Sequence, residues 1–276
     1  ELDQLYKKLN NPHAERLALL EKHMQLTESR DDLYLEMITL HNQLGNYQKA
    51  KQLIATRIFH PWEGGEGKVV NQYLLCHIEL AKIALTNAEY KNALSLLDAA
   101  ENYPVNLGEG KLYGAQQNDI HYLKGLAYEH LEQKELSQQH FLLATEGITE
   151  PVQAIFYNDP QPDKIFYQGL AWKRLGRIEK ANGIFERLIS FGKEHYKDKI
   201  SIDYFAVSLP DLLVFDTDLD LRNKIHCLYL QALGNLGLGN VFIDESEKLF
   251  NEVLKLDINH QGAAVHKLML HSPITR

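Results

Sequence analysis

Five positions along this chain repeat one steric pattern. Ala50, Ala93, Ser137, Ala181 and Ser246 are small, and the residue four places on is bulky each time: Ile54, Leu97, Phe141, Phe185 and Phe250. The residue twelve places before is Ile38, Ala81, Gly125, Gly169 or Gly234, mostly small again. Four residues is about one helical turn, so each small and bulky pair shares one helix face. Two antiparallel helices approach closely only where small side chains let the backbones meet, and a bulky residue one turn later fills the groove beside that contact. The pattern therefore predicts stacked helical hairpins.

The surrounding strings are "LGNYQKAKQLI", "NAEYKNALSLL", "KELSQQHFLLA", "LGRIEKANGIF" and "IDESEKLFNEV", each opening with turn or polar residues. Here the chain resembles the tetratricopeptide-repeat family over five units, roughly Asp32 to His260. The last unit ends "LKLDINH", with Ile258 where that family has proline. The resemblance implies an all-α fold: a right-handed superhelix, or α-solenoid, of antiparallel helical hairpins with long insertions between repeats. Residues 1–30 are expected to form a helical cap, 31–260 about five hairpins and 261–276 a closing helix and tail, all as one domain. The small residues lie 43, 44, 44 and 65 apart, against 34 for the standard repeat. Each junction thus carries extra sequence, the longest at 192–222. Gly and Pro mark these stretches as loops or helix ends.

The formal net charge of −8 argues against a nucleic-acid partner, whose phosphates are bound by Lys and Arg. No apolar run is long enough to span a bilayer, so no membrane partner is expected. The opening "ELDQLYKKLN" lacks the basic and apolar regions of a signal peptide and does not start with Met. The expectation is a cytoplasmic segment of a longer protein. Cys76 and Cys227, the two cysteines, both fall in apolar helical patterns and read as buried reduced thiols rather than a disulfide framework.

The tetrapeptide GEGK occurs at Gly65–Lys68 and again at Gly108–Lys111. A nucleotide-binding phosphate loop needs a glycine five residues before the Gly-Lys pair and Ser or Thr after it. Here those positions hold Trp62 and Val69, then Val105 and Leu112, so that reading fails. A weaker one keeps free N–H groups at a helix start, with the lysine, as a site for some anion. The default is a shared structural role: glycines at a repeat junction and a lysine early in the next helix. "DTDLDL" at Asp216 begins like a calcium loop, but Leu221 and Cys227 stand where glycine and glutamate are needed. Helix capping is the favoured role for those aspartates. His77, His121 and His226 lie on apolar helical stretches and read as core or interface histidines. With no HExxH and no GxSxG, neither metal, cofactor nor serine chemistry is indicated.

The junctions also concentrate aromatic residues beside acids: Trp62, Tyr103, Tyr113, Tyr157, Tyr167 and Tyr204. Carboxylate pairs are Glu63 with Glu66, Asp159 with Asp163 and Asp203 with Asp211. Flat aromatic faces with polar groups suit sugars and peptides alike, and also suit packing of the loops onto the array. The candidate binding residues are Trp62, Glu63, Glu66, Lys68, Glu109, Lys111, Asn158, Asp159, Asp163, Tyr167, Asp203, Tyr204 and Asp211. Stacking of equivalent junctions would place these along one rim.

The set FHPWEGGEGK, NLGEGK, AIFYNDPQPDKIFYQGLA, KISIDYFAVSLPDLLVF and IHCLYLQALG resembles the C-terminal repeat region of a family of long bacterial proteins. Those have a β-sandwich-rich N-terminal region of unknown function and are often encoded near carbohydrate-use genes. The resemblance implies a missing N-terminal region and a link to carbohydrate. The expected function is a non-catalytic scaffold binding a protein partner or another domain of the parent chain. The alternative is a carbohydrate-recognising surface that assists a sugar-processing site on the missing region.

Overall fold

A computed structural model gives the fold and describes residues 1–62, 64–153, 159–201 and 218–275. Among the described residues the protein is all-α, with fourteen α-helices and no strand. They are α1 (Leu2–Lys8), α2 (His13–Lys22), α3 (Met24–Glu28), α4 (Asp31–Gln43), α5 (Tyr47–Ala55), α6 (Lys68–Thr86), α7 (Tyr90–Glu101), α8 (Asn118–His130), α9 (Lys134–Leu143), α10 (Pro162–Arg174), α11 (Ile178–Glu194), α12 (Leu219–Leu238), α13 (Ile243–Leu256) and α14 (Gln261–Lys267). The described residues form two compact units. One draws on Glu1–Leu80 and Asp98–Tyr113, the other on Ala81–Leu97, Gly114–Ser201 and Thr217–Arg276.

One turn geometry recurs between paired helices. Gly45, Ala88, Glu132 and Gly176 adopt left-handed φ values of 76°, 60°, 60° and 74°. The next residue's N–H then reaches back five places: Asn46 to His41, Glu89 to Ala84, Gln133 to Tyr128 and Arg177 to Trp172, at 2.8–2.9 Å. This bond satisfies a carbonyl at the end of one helix while reversing the chain into the next. Glycine enters that conformation without strain, whereas Ala88 and Glu132 adopt it against their Cβ atoms.

The steric pattern is realised inside the hairpins. Ala50, Ala93 and Ala181 are fully buried, and Ser137 and Ser246 are buried too. A Cβ on Gly125 would sit 2.5 Å from the Phe141 ring, and one on Gly169 would sit 2.4 Å from the Phe185 ring. The glycine therefore makes room for the aromatic of its own hairpin, and only a residue without a side chain fits. The Ser137 hydroxyl donates to the Gly125 carbonyl at 2.9 Å, satisfying itself at the contact. Gly234 differs. A Cβ there would meet Ile189 and the Phe185 carbonyl, each at 2.6 Å, so its smallness serves the packing of α12 on α11 rather than on α13.

In the first unit Arg16 is completely buried in α2. Its Nε and Nη2 donate to Asp3 at 3.0 and 2.9 Å, and Nη2 also reaches Glu36 at 2.5 Å. Lys7 closes the group on Glu36 at 3.0 Å. This network fixes α1 and α2 against α4 and satisfies a charge that burial alone would make costly.

In the second unit α14 ends at Lys267, and the chain turns there before a 3-10 turn, Pro273–Thr275. Met269, Leu270 and Ile274 are buried, and the fully buried Tyr122 donates its hydroxyl to the Ile274 carbonyl at 2.5 Å. Asp218 caps α12, accepting the Leu221 N–H at 3.0 Å. Asp220 accepts the Ile200 N–H and pairs with Lys199, so both aspartates have structural partners. Cys76 and Cys227 are buried free thiols, pushed up to about 12 and about 11 by burial. Among the described residues, no helix is long and apolar enough to cross a membrane.

Candidate functional site

The two GEGK copies meet in the first unit. Gly67, just before α6, donates its N–H to the Glu109 carboxylate at 2.7 Å. Its φ of +73° turns the chain into the helix, and Lys68 is the first helical residue. The second copy does not behave the same way. Lys111 lies in irregular chain seven residues before α8, and its ammonium donates to the Glu101 carbonyl at 3.3 Å. The expectation of an early helical lysine thus holds for Lys68 and is corrected for Lys111. The weaker anion reading is corrected as well. The Gly67 amide at the helix start already holds an anion, the carboxylate of Glu109.

Further bonds hold the two loops together. The Phe59 N–H donates to the Asn106 carbonyl at 2.8 Å. The Asn106 side chain donates to the carbonyls of Ile54 and Arg57, each at 2.9 Å. Gly108 sits so close that a Cβ would lie 2.6 Å from the Phe59 carbonyl oxygen, and its φ of +77° also favours glycine. Leu107 and Phe59 are buried in the core of this unit, with Trp62 packed against it. Gly65 lies under the indole, where a Cβ would come within 2.3 Å of the ring.

These loops enclose a cleft of about 260 Å³ lined by His60, Pro61, Trp62, Gly65, Glu66, Val69, Leu107 and Glu109. Trp62, Glu66 and Glu109 were expected to bind; His60, Val69 and Leu107 were not. His60 is 80% exposed, and its Nδ1 lies 3.1 Å from Asp31 Oδ2, which also accepts the His60 backbone N–H at 2.9 Å. Asp31 is shared with Arg57, whose Nε donates to Oδ1 at 2.6 Å. Burial opposes the charge on Asp31, but the bonds from His60 and Arg57 outweigh it and hold the carboxyl below the usual range. Arg57 in turn lies 4.4 Å over the Tyr34 ring. The imidazole at the cleft is therefore held by Asp31, a carboxylate in the first turn of α4.

Those of the other expected residues that the structure describes are not among the residues lining this cleft. Asp163 lies in the first turn of α10, in the second unit, 3.7 Å from the Lys164 ammonium. Lys164 itself pairs with the buried Asp119 at 2.5 Å. Asp159 accepts a bond from the Gln161 side chain through its backbone carbonyl. Tyr167 is corrected from a surface aromatic to a core residue. It is 1% exposed, packs edge-on against Phe166 and lies beside Tyr122, and its hydroxyl donates to Met269 Sδ at 3.4 Å. Of the other junction aromatics, Tyr103 is half-buried against Tyr73 and Tyr113 is fully exposed. Glu63, Tyr157, Asn158, Asp203, Tyr204 and Asp211 lie outside the described residues.

His77 is buried, with Nδ1 donating to the Tyr73 carbonyl at 2.8 Å, and His226 bonds the Val152 carbonyl through Nε2 at 2.7 Å. Among the described residues, no three His, Cys, Asp or Glu side chains gather where they could hold a metal ion. No protein-family model matches the chain. No solved structure matches it either.

Proposed function

We propose that the chain is a non-catalytic, tetratricopeptide-like stack of helical hairpins that binds a protein partner or another domain of a longer parent chain. The observation that supports this is the outer side of the 102–117 loop. Its inner residues Asn106 and Leu107 anchor it, yet Val105 is 98% exposed, and Leu112 and Tyr113 also stand in solvent. Apolar side chains held out on an anchored loop favour burial against another surface. Hydrogen exchange tests this on the longest natural chain that contains the segment, compared with the segment alone. Slower exchange across residues 103–113 in the longer chain is the expected result. Equal exchange, together with a Val105→Glu/Tyr113→Ser variant that binds all partners unchanged, removes the reading.

The second reading, a carbohydrate-recognising surface, is favoured by the cleft, which sets an indole beside two carboxylates and an imidazole. An apolar face flanked by planar polar groups is what a sugar ring needs: burial for its C–H face and partners for its hydroxyls.

A further inference from the structure

We propose that the first-unit cleft recognises a primary ammonium group on a small ligand, an inference that rests on the second reading above. The polarity of the lining carries it. Asp31 is ionised and can only accept, so His60 Nδ1 must donate to it. Glu109 has one oxygen committed to the Gly67 N–H and the other left to accept. Among the described residues, Glu66 makes no hydrogen bond or ion pair, and no Lys or Arg pairs with Glu109. Among the described lining residues there is no Lys or Arg.

Charge points the same way. Three acids packed within this unit, Asp3, Asp31 and Glu36, each meet Arg or Lys. Glu66 and Glu109 line one cleft without such a partner. A cation that brings its own N–H donors finds two carboxylates in the lining, and its carbon skeleton finds Pro61, Trp62, Val69 and Leu107. A neutral ligand forgoes the charge-assisted share of those bonds. The volume, about 260 Å³, lies just below the ~300–1,000 Å³ of drug-sized sites, so one ring or one side chain fits and an extended chain does not. Two sources supply such a group, an amino sugar and a lysine side chain.

Calorimetric titration of the 276-residue chain with glucosamine, N-acetylglucosamine and n-butylammonium separates the outcomes. Glucosamine is expected to bind, and its acetylated counterpart, with the same ring and no charge, to bind about tenfold or more weaker. Glu66→Gln should weaken glucosamine by a similar factor. Glu109→Gln, which can still accept the Gly67 N–H, should do so as well. If Glu109→Gln fails to fold, the exposed Glu66→Gln carries the test. Butylammonium binding as tightly as glucosamine supports the ammonium site and identifies a lysine side chain as its source. N-acetylglucosamine binding as tightly as glucosamine, with Glu66→Gln inert, overturns the inference and leaves the carbohydrate reading standing. Binding by none of the three overturns both.

Discussion

The Glu109 carboxylate accepts the Gly67 backbone N–H at 2.7 Å across 42 residues of sequence. One copy of GEGK thereby fills the anion position created by the other at the start of α6. The tetrapeptide recurs, but its two copies do different jobs: the first supplies the amide and the second the carboxylate.

Glu109→Ala should therefore cost about 1–2 kcal/mol, because it leaves a part-buried N–H without its charged acceptor. Glu109→Gln should recover most of that loss, since an amide oxygen reaches the same N–H. Urea denaturation of the three proteins measures this. Equal stability of the Ala variant and the parent would mean that the bond contributes nothing.

The turn residues allow a prediction of opposite sign at equivalent places. Ala88 and Glu132 hold the left-handed conformation that Gly45 and Gly176 hold in the neighbouring hairpins. Relief of the Cβ strain, roughly 1–2 kcal/mol, exceeds the entropy lost to a freer unfolded chain. Ala88→Gly and Glu132→Gly should each raise stability by about 0.5–1 kcal/mol, and Gly176→Ala should lower it. A fall in melting temperature for both glycine variants would show that the turn is not strained.

The helix pairing was legible in the sequence because its cause is local and steric. Gly125 and Phe141, or Gly169 and Phe185, must fit one another wherever else the chain goes. The site was only half legible. Trp62, Glu66 and Glu109 announce themselves by composition, since indole and carboxylates in a Gly-rich loop imply a polar cleft. His60 sits in the same string, but its partner Asp31 is 29 residues away and no local spacing reveals it. Leu107 looks like any loop leucine until Asn106 and Gly108 bind it down beside Phe59. Tyr167 misleads for the converse reason. It stands next to acids in sequence, while helix periodicity turns it inward among Tyr122, Phe166 and His266.

At the fully buried small positions, enlargement should be punished. Ala93 and Ala181 are completely buried, and leucine there would drive adjacent backbones apart. Overpacking costs about 1–3 kcal/mol, so Ala93→Leu and Ala181→Leu should each lower the melting temperature by several degrees. Melting temperatures unchanged in both would refute the packing register.

Acid should weaken the second unit through its buried histidines, among them His226, His260 and His266, before it titrates the carboxylates. Burial, opposed only in part by the Val152 carbonyl, lowers His226 from 6.5 to about 4. Burial likewise lowers His266 to about 3, where its Nδ1 donates to the Gly262 carbonyl at 2.8 Å and its Nε2 has no partner. Below pH 6.5 the unfolded chain takes up protons that the folded chain refuses, so stability falls as pH drops toward 4. The slope approaches ~1.4 kcal/mol per pH unit for each histidine. Glu36 acts lower down. Burial raises its pKa, but Lys7 and Arg16 outweigh that and hold it below 4.5. Its contribution is complete above that pH and is lost as pH falls through the depressed value. His226→Gln, whose side-chain amide can still donate to the Val152 carbonyl, should flatten the decline between pH 6.5 and 4 while leaving the steeper loss below it. Denaturation midpoints at pH 7, 5.5 and 4.5 decide the matter: an unchanged slope in His226→Gln would place the acid sensitivity elsewhere.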